Sequence, residues 1–183
     1  MSTAVLETPR LYLRNLTEND VTPNYVSWLN DKEVNRYLES RYRNYSKDDL
    51  VQYVRYVNNQ KQSSLFGLFL KKDNKHIGNI KIDGINDYHL RGTIGLLIGD
   101  KSQWGRGYAT ESIDAVSRYG FDNLNLLKVC AGCYESNIGS KRAFEKVGYK
   151  VEGFLRSQVE TGMGREGLWQ LGILAGELKH FKC

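Results

Sequence analysis

The chain has 183 residues, 40% of them apolar and 26% charged, enough for a single core-bearing domain over residues 1–183 and too few for two. Its formal net charge is +5, but no run of five basic residues occurs, so the clustered signature of a nucleic-acid binder is missing. No apolar run approaches the roughly 20 residues of a membrane span and no apolar segment follows Met1, so a cytoplasmic protein with no signal peptide and no membrane partner is expected.

Leu11 to Leu16 alternates apolar and polar residues and predicts a first strand. Thr17-x-x-Asp20 predicts a helix start, with Val21, Tyr25, Trp28 and Leu29 on one face. Asp31 to Leu38 predicts a second short helix. Ser46-x-x-Asp49 caps a third, with Leu50, Tyr53, Val54 and Val57 at helical spacing. Ser64–Leu70 and His76–Ile82 read as a hairpin across the polar turn at 71–75, followed by a loop from Asp83 to Arg91. A strand over 93–98, a helix over 107–121, a strand over 127–133 and a helix over 138–147 come next. Gly148 stops the last of these helices. Two final strands are expected near Tyr149–Glu160 and Glu166–Ala175; with Trp169 and Leu171 they suit a dimer edge or a core equally. The order predicts an α/β (α+β) fold: a mixed central sheet of about seven strands with helices on both faces.

The cysteines are Cys130, Cys133 and Cys183. The Cys130-x-x-Cys133 pair has no second ligand pair nearby for zinc. It also lies in a strand, where residues three apart face opposite sides. Buried, reduced thiols are expected, and no metal.

The most specific segment is Trp104-Gly105-Arg106-Gly107-Tyr108-Ala109-Thr110, between the strand at 93–98 and the next helix. Two glycines let several N–H groups converge, and the helix N-terminus adds positive charge, which suits a pyrophosphate. The loop lacks the third glycine of a dinucleotide fingerprint and the Gly-Lys-Ser/Thr ending of a triphosphate loop. Further on comes Asn137-Ile138-Gly139-Ser140-Lys141-Arg142-Ala143-Phe144-Glu145-Lys146-Val147-Gly148-Tyr149. Together, over about 92–149, the two segments resemble the acetyl-CoA core of the GCN5-related N-acetyltransferase (GNAT) superfamily. Thr8-Pro9-Arg10-Leu11-x-Leu13-Arg14 and the Trp104–Glu111 loop resemble the branch that contains ribosomal-protein N-terminal, spermidine and amino-sugar acetyltransferases.

The resemblance implies the GNAT fold and acetyl-CoA as co-substrate. It implies that backbone groups of Leu97, Ile98 and Gly99 pair with the pantetheine arm as an added strand would. Amides from Gly105 through Tyr108 and Ala109 to Thr110 would hold the pyrophosphate, and Asn137 and Ser140 would contact the pantetheine. Arg106, Lys141 and Lys146 stand either as phosphate partners or as solvated surface. Attack of a neutral amine on the thioester needs a base, an oxyanion donor near Ile98 or Gly99, and a proton for the thiolate. Base candidates are His89, Glu135 and Asp83. The family's usual tyrosine acid is replaced by Phe144, which leaves Ser140, Tyr134 or an unprotonated thiolate. Trp104 stands where the family has Gln or Arg and is expected to pack.

The acceptor pocket in this branch comes from the early helices and the loop after them, here Trp28 to Ser46. Arg36, Tyr37, Arg41 and Arg43 in that stretch suit phosphates and sugars. A small amine acceptor is therefore expected, with a nucleotide-linked amino sugar first. Protein N-termini and polyamines are the alternatives, and a non-catalytic acyl-CoA sensor is the reading from a different class.

Overall fold

The computed structural model describes residues 5–178; Cys183 lies outside them. The strands are β1 (Val5–Glu7), β2 (Leu11–Asn15), β3 (Ser64–Leu70), β4 (His76–Asn86), β5 (Arg91–Ile98), β6 (Lys128–Tyr134), β7 (Lys150–Glu160) and β8 (Arg165–Leu174). They form one sheet in the order β1-β2-β3-β4-β5-β6-β8-β7. Every neighbouring pair is antiparallel except β5 and β6, which run parallel. The helices are α1 (Pro23–Asn30), α2 (Lys47–Asn58), α3 (Tyr108–Asp122) and α4 (Ile138–Val147).

β3 shows how the sequence makes two cores. It is apolar at nearly every position, as a strand covered on both faces must be. Its alternate side chains part company. Leu65 and Phe69 join Tyr25, Trp28, Leu50, Val54 and Val57 of α1 and α2. Phe66, Leu68 and Leu70 join Ile113 and Val116 of α3 and Ala143, Phe144 and Val147 of α4. Helices therefore cover both faces, as expected.

Thr22 caps α1 with Pro23 in its first turn, and Ser46 and Asp49 form a capping box on α2. Gly148, at φ 115°, ends α4 in the left-handed region that a side chain resists. The expected hairpin of β3 and β4 is present. Cys130 is half-buried and Cys133 buried, consistent with residues three apart in a strand.

The sheet expected at about seven strands has eight, β1 pairing with β2. Three expectations are corrected. The helix expected from Thr17 begins at Pro23, after a short 3-10 turn over Glu18–Asp20. The loop expected over 83–91 is mostly strand, with a turn only at 87–90. No helix forms over 31–38: Asp31 Oδ1 accepts from the amides of Glu33 and Val34, and Asn35 Nδ2 donates to the Leu29 carbonyl at 2.7 Å. These side-chain bonds offer the backbone an alternative to a continued helix. Leu171 is core, and Trp169 packs on Phe154 with ring centroids 4.4 Å apart. At that end of the sheet the edge strand is β7, and at the other it is β1. No helix among the described residues is long and apolar enough to cross a membrane.

Candidate active site

The parallel ladder of β5 and β6 is short. Its register runs from Arg91 opposite Lys128 to Ile94 opposite Ala131 and then stops. Beyond that point β5 stays with β4 as far as Ile98, and β6 stays with β8 as far as Tyr134. A seam therefore opens in the middle of the sheet. Gly99 N donates to Ile77 O at 2.9 Å, which fixes the alternation of the β4–β5 ladder. Leu97 and Gly99 turn their polar groups toward β4, while Leu96 and Ile98 turn theirs into the seam. On the other side Glu135 N donates to Gly167 O and Ala175 N to Leu127 O. By the same alternation Gly132 and Tyr134 face the seam. The Tyr134 carbonyl is taken by Asn137 N at 2.9 Å.

The seam opens into a cleft of about 620 Å³ that ends on the loop before α3, a volume suited to a cofactor-sized ligand. Gly105 and Gly107 hold φ of 72° and 84°, left-handed values that favour glycine. α3 has no side-chain cap; its N-cap is Gly107. The first-turn amides of Tyr108, Ala109 and Thr110 are consequently unclaimed by the helix, and no described residue bonds the amides of Gly105, Arg106 or Gly107. This is the donor set a pyrophosphate requires.

The loop is clamped from behind. Glu111 Oε1 accepts from Arg10 N at 2.8 Å and from the Thr8 hydroxyl, while Oε2 accepts from Arg10 Nε at 2.8 Å. Arg10 Nη1 donates to the Arg106 carbonyl at 2.9 Å, and its guanidinium lies 4.5 Å over the Tyr108 ring. Burial by itself would raise the Glu111 carboxyl, but these hydrogen bonds outweigh it and hold the group below the usual carboxylate range. Trp104 Nε1 donates to the Ile98 carbonyl at 2.7 Å. The indole thus links the loop to the end of β5 and leaves the Ile98 amide as the group facing the seam.

α4 forms the opposite wall. Asn137 caps it, accepting from Ser140 N at 3.2 Å, and Ser140, Arg142, Phe144 and Lys146 line the cleft. Gln103 also lines it, is 8% exposed, and has a side-chain carbonyl with no partner. A buried polar atom left unpaired beside a cleft is a group that a bound molecule or water there would satisfy. The free amides, the uncapped helix and this carbonyl fit a CoA-type ligand.

Residues 31–46 roof the seam and are pinned at three points. Lys101 Nζ lies 2.8 Å from Asp31 and 3.0 Å from Glu33. The Tyr37 hydroxyl donates to Ser136 O at 3.2 Å. Arg41 donates to the Tyr134 hydroxyl at 2.6 Å and to the carbonyls of Leu38 and Glu160. The Tyr134 hydroxyl in turn donates to Glu39. Burial, reinforced by that bond, pushes the Tyr134 phenol up to about 12.

The expected donor-site residues come together: Leu97, Ile98, Trp104, Gly105, Gly107, Tyr108, Ala109, Thr110, Asn137, Ser140 and Phe144 all line the cleft. Gly99 and Arg106 do not. Of the three expected pantetheine partners only Ile98 turns into the seam: the Leu97 backbone faces β4, and the Gly99 amide is spent on Ile77 and cannot serve as the oxyanion donor. Arg106 is exposed. Lys141 turns away to Glu145 and the Trp169 ring. Arg142 was missed, since its place on the cleft side of α4 follows only from the packing of that helix.

The catalytic candidates fare differently. His89 sits in the turn before Arg91, and Arg91 is itself roughly 23 Å from Ile98 along β5, so His89 cannot reach the open end of the seam. Glu135 accepts from Gly167 N at 2.9 Å and ties β6 to β8. Asp83 pairs with Lys81. Tyr134 stands behind Tyr37, with ring centroids 5.9 Å apart, and its hydroxyl proton is committed to Glu39. Ser140 alone of the catalytic candidates lines the cleft. Of the acceptor residues, Arg36 and Tyr37 line it. Trp28 is core, packed so closely on Gly99 that a Cβ there would lie 2.0 Å from its ring. Arg41 is spent on the strap, and Arg43 stacks on Tyr45 away from the cleft.

The sequence profile of the acetyltransferase (GNAT) domain matches residues 10–150. The uncharacterised N-acetyltransferase YoaA of Bacillus subtilis is 32% identical over 154 residues, covering 83% of this chain and 86% of its own. The crystal structure of a GNAT-family acetyltransferase from Bacillus anthracis superposes with a TM-score of 0.82 at 24% identity, over 95% of this chain and all of that one. A spermidine N-acetyltransferase from Vibrio cholerae, solved with CoA and spermine, gives 0.84 at 22% identity, over 93% and 98%. With its seam, its uncapped α3 and this match over most of its length, the chain belongs to the GNAT acetyltransferases, N-acetyltransferases whose donor is acetyl-CoA.

Proposed function

We propose that this protein acetylates an unhindered primary amine that carries no phosphate, a polyamine or a protein α-amine, entering beneath the 31–46 roof. The observation that carries this is the seam whose free backbone groups lead directly to the unclaimed amides of α3. The charge at the mouth selects the acceptor. A nucleotide-linked amino sugar would need the arginines of the roof, but only Arg36 faces the cleft. Glu33 lines the same mouth but is paired with Lys101, and Glu39 accepts from the Tyr134 hydroxyl, so the roof offers a phosphate one arginine and no basic cluster.

In this reading the Ile98 amide pairs with the pantetheine, the Leu96 amide, which faces the seam beside its closed end, stabilises the oxyanion, and the Ser140 hydroxyl hydrogen-bonds the departing thiolate in place of the family's tyrosine. Tyr134 is a positioning residue that acts through Arg41 and Glu39. The amide cradle holds the pyrophosphate, with Arg142 and Lys146 adding positive charge. A panel of spermidine, an α-amine peptide and a nucleotide-linked amino sugar, read by free CoA release, tests the proposal. Turnover of either of the first two is expected. Turnover of the amino sugar alone would overturn the acceptor assignment, and CoA binding without turnover of any amine would favour the sensor.

A further inference from the structure

Two glycines stand where the seam opens. Gly95 of β5 and Gly132 of β6 each lie one residue past the last paired positions, Ile94 and Ala131. Strand alternation directs both toward the roofed face, and both line the cleft and are exposed. Neither has a positive φ. A Cβ built on Gly95 meets nothing within 4 Å, and one built on Gly132 meets nothing nearer than Leu168 Cδ2 at 3.6 Å. Gly78 and Gly167, by contrast, are enforced by packing: a Cβ on Gly78 would lie 2.2 Å from the Leu97 carbonyl, and one on Gly167 would lie 2.1 Å from the Phe154 ring. Glycine inside a strand weakens it. At Gly95 and Gly132 neither backbone nor packing requires that weakness.

The surroundings show what the bare patch accommodates. A chain running down the seam cannot continue in the plane of the sheet, because the ladder closes at Ile94 and Ala131. On the side of α3 and α4 the cleft is walled by Ile94 and Phe144, both packed in the core. The open ground for atoms beyond a thioester carbonyl is the roofed face, over Gly95 and Gly132.

We propose that Gly95 and Gly132 form an acyl pocket, and that the donor site accepts short straight-chain acyl-CoA thioesters longer than acetyl, through butyryl. This rests on the acyl-CoA reading of the cleft. Each methylene moved from water onto the patch strengthens binding by up to about fourfold.

Calorimetric titration of the whole protein with free CoA, acetyl-CoA and butyryl-CoA tests it, alongside Gly95→Val and Gly132→Val. Butyryl-CoA is expected to bind at least as tightly as acetyl-CoA. Either valine should weaken butyryl-CoA roughly tenfold or more by overpacking, while the Kd for free CoA stays unchanged. Alanine at either site should fold with an unchanged or higher Tm; should a valine variant fail to fold, alanine with butyryl-CoA replaces it, with a smaller loss in the same direction expected. Wild-type binding of butyryl-CoA tenfold weaker than acetyl-CoA overturns the inference, as does equal loss or no loss for all three ligands in the variants. Absence of free-CoA binding to the wild type would instead remove the acyl-CoA reading, and this inference with it.

Discussion

Glu111 joins three parts of the molecule through one carboxylate. It receives bonds from Thr8 and Arg10 at the start of the chain, and Arg10 holds the Arg106 carbonyl of the loop. The side chain is 8% exposed, so screening by water is slight. Glu111→Ala is expected to cost about 2–3 kcal/mol in urea unfolding and to raise the Kd for CoA, because the loop loses its backing. The Glu111 carboxyl is depressed in the fold. Its contribution is therefore present above the ordinary glutamate range and is lost as pH falls through the lower, folded value. Glu111→Gln should flatten that limb of a stability-versus-pH curve; an unchanged limb would refute the clamp. Ser140 and Phe144 allow a sharper test, because Phe144 lines the cleft although it is 1% exposed. Ser140→Ala is expected to lower kcat roughly tenfold at unchanged CoA affinity. Phe144→Tyr, which restores a phenol at the cleft wall, should raise kcat and suppress the serine effect. Additive effects in this cycle would separate Ser140 from thiolate departure. These donor-side residues were legible in the sequence, because glycines and a cap at fixed offsets carry local geometry. Glu135 and His89 were not: their fates depend on pairing with Gly167 on β8 and on which end of β5 carries the seam.

The 31–46 roof is the element that most departs from expectation. Val34 and Leu38, four residues apart, suggest a helix, yet this segment must cross the seam to reach β7 and β8. Asp31 and Asn35 bond the backbone locally instead, and the crossing is fastened at Lys101, Ser136 and Glu160. The arginines of this stretch looked like an anion pocket because sequence shows their charge but not their partners. Arg41→Ala should release the strap, raise the acceptor KM and speed hydrogen exchange at 38–45 and 160–164, while leaving the Kd for CoA unchanged. Lysine should fail to rescue it, since one ammonium cannot fan out to Tyr134, Leu38 and Glu160 as a guanidinium does. Arg43→Glu should leave the acceptor KM unaltered, because that side chain stacks on Tyr45 away from the cleft. A large KM change from Arg43→Glu would return the basic-pocket reading to consideration.

Across the whole molecule, the sheet consists of two blocks, β1 to β5 and β6 to β8, whose strands are joined by the four register pairs from Arg91–Lys128 to Ile94–Ala131. The seam is thus a consequence of a ladder that ends early. A ligand lying in it would pair with both blocks and stabilise the fold globally. CoA at 100 times its Kd should add about 2.7 kcal/mol, which raises Tm by roughly 5–10 °C for a chain of this length. The alternation of the two flanking ladders makes the accompanying hydrogen-exchange pattern specific. Amides of Leu96, Ile98 and Tyr134, which face the seam, should slow markedly on CoA binding beyond the global gain. Leu97 and Cys133, already turned toward β4 and β8, should change only with global stability. The same protection at Leu97 as at Leu96 and Ile98 would mean that the ligand rigidifies the strand without pairing to it. Protection confined to 105–110, with none in the seam, would place the phosphates in the cradle but deny the added-strand pairing on which delivery of the acyl group to Gly95 and Gly132 depends.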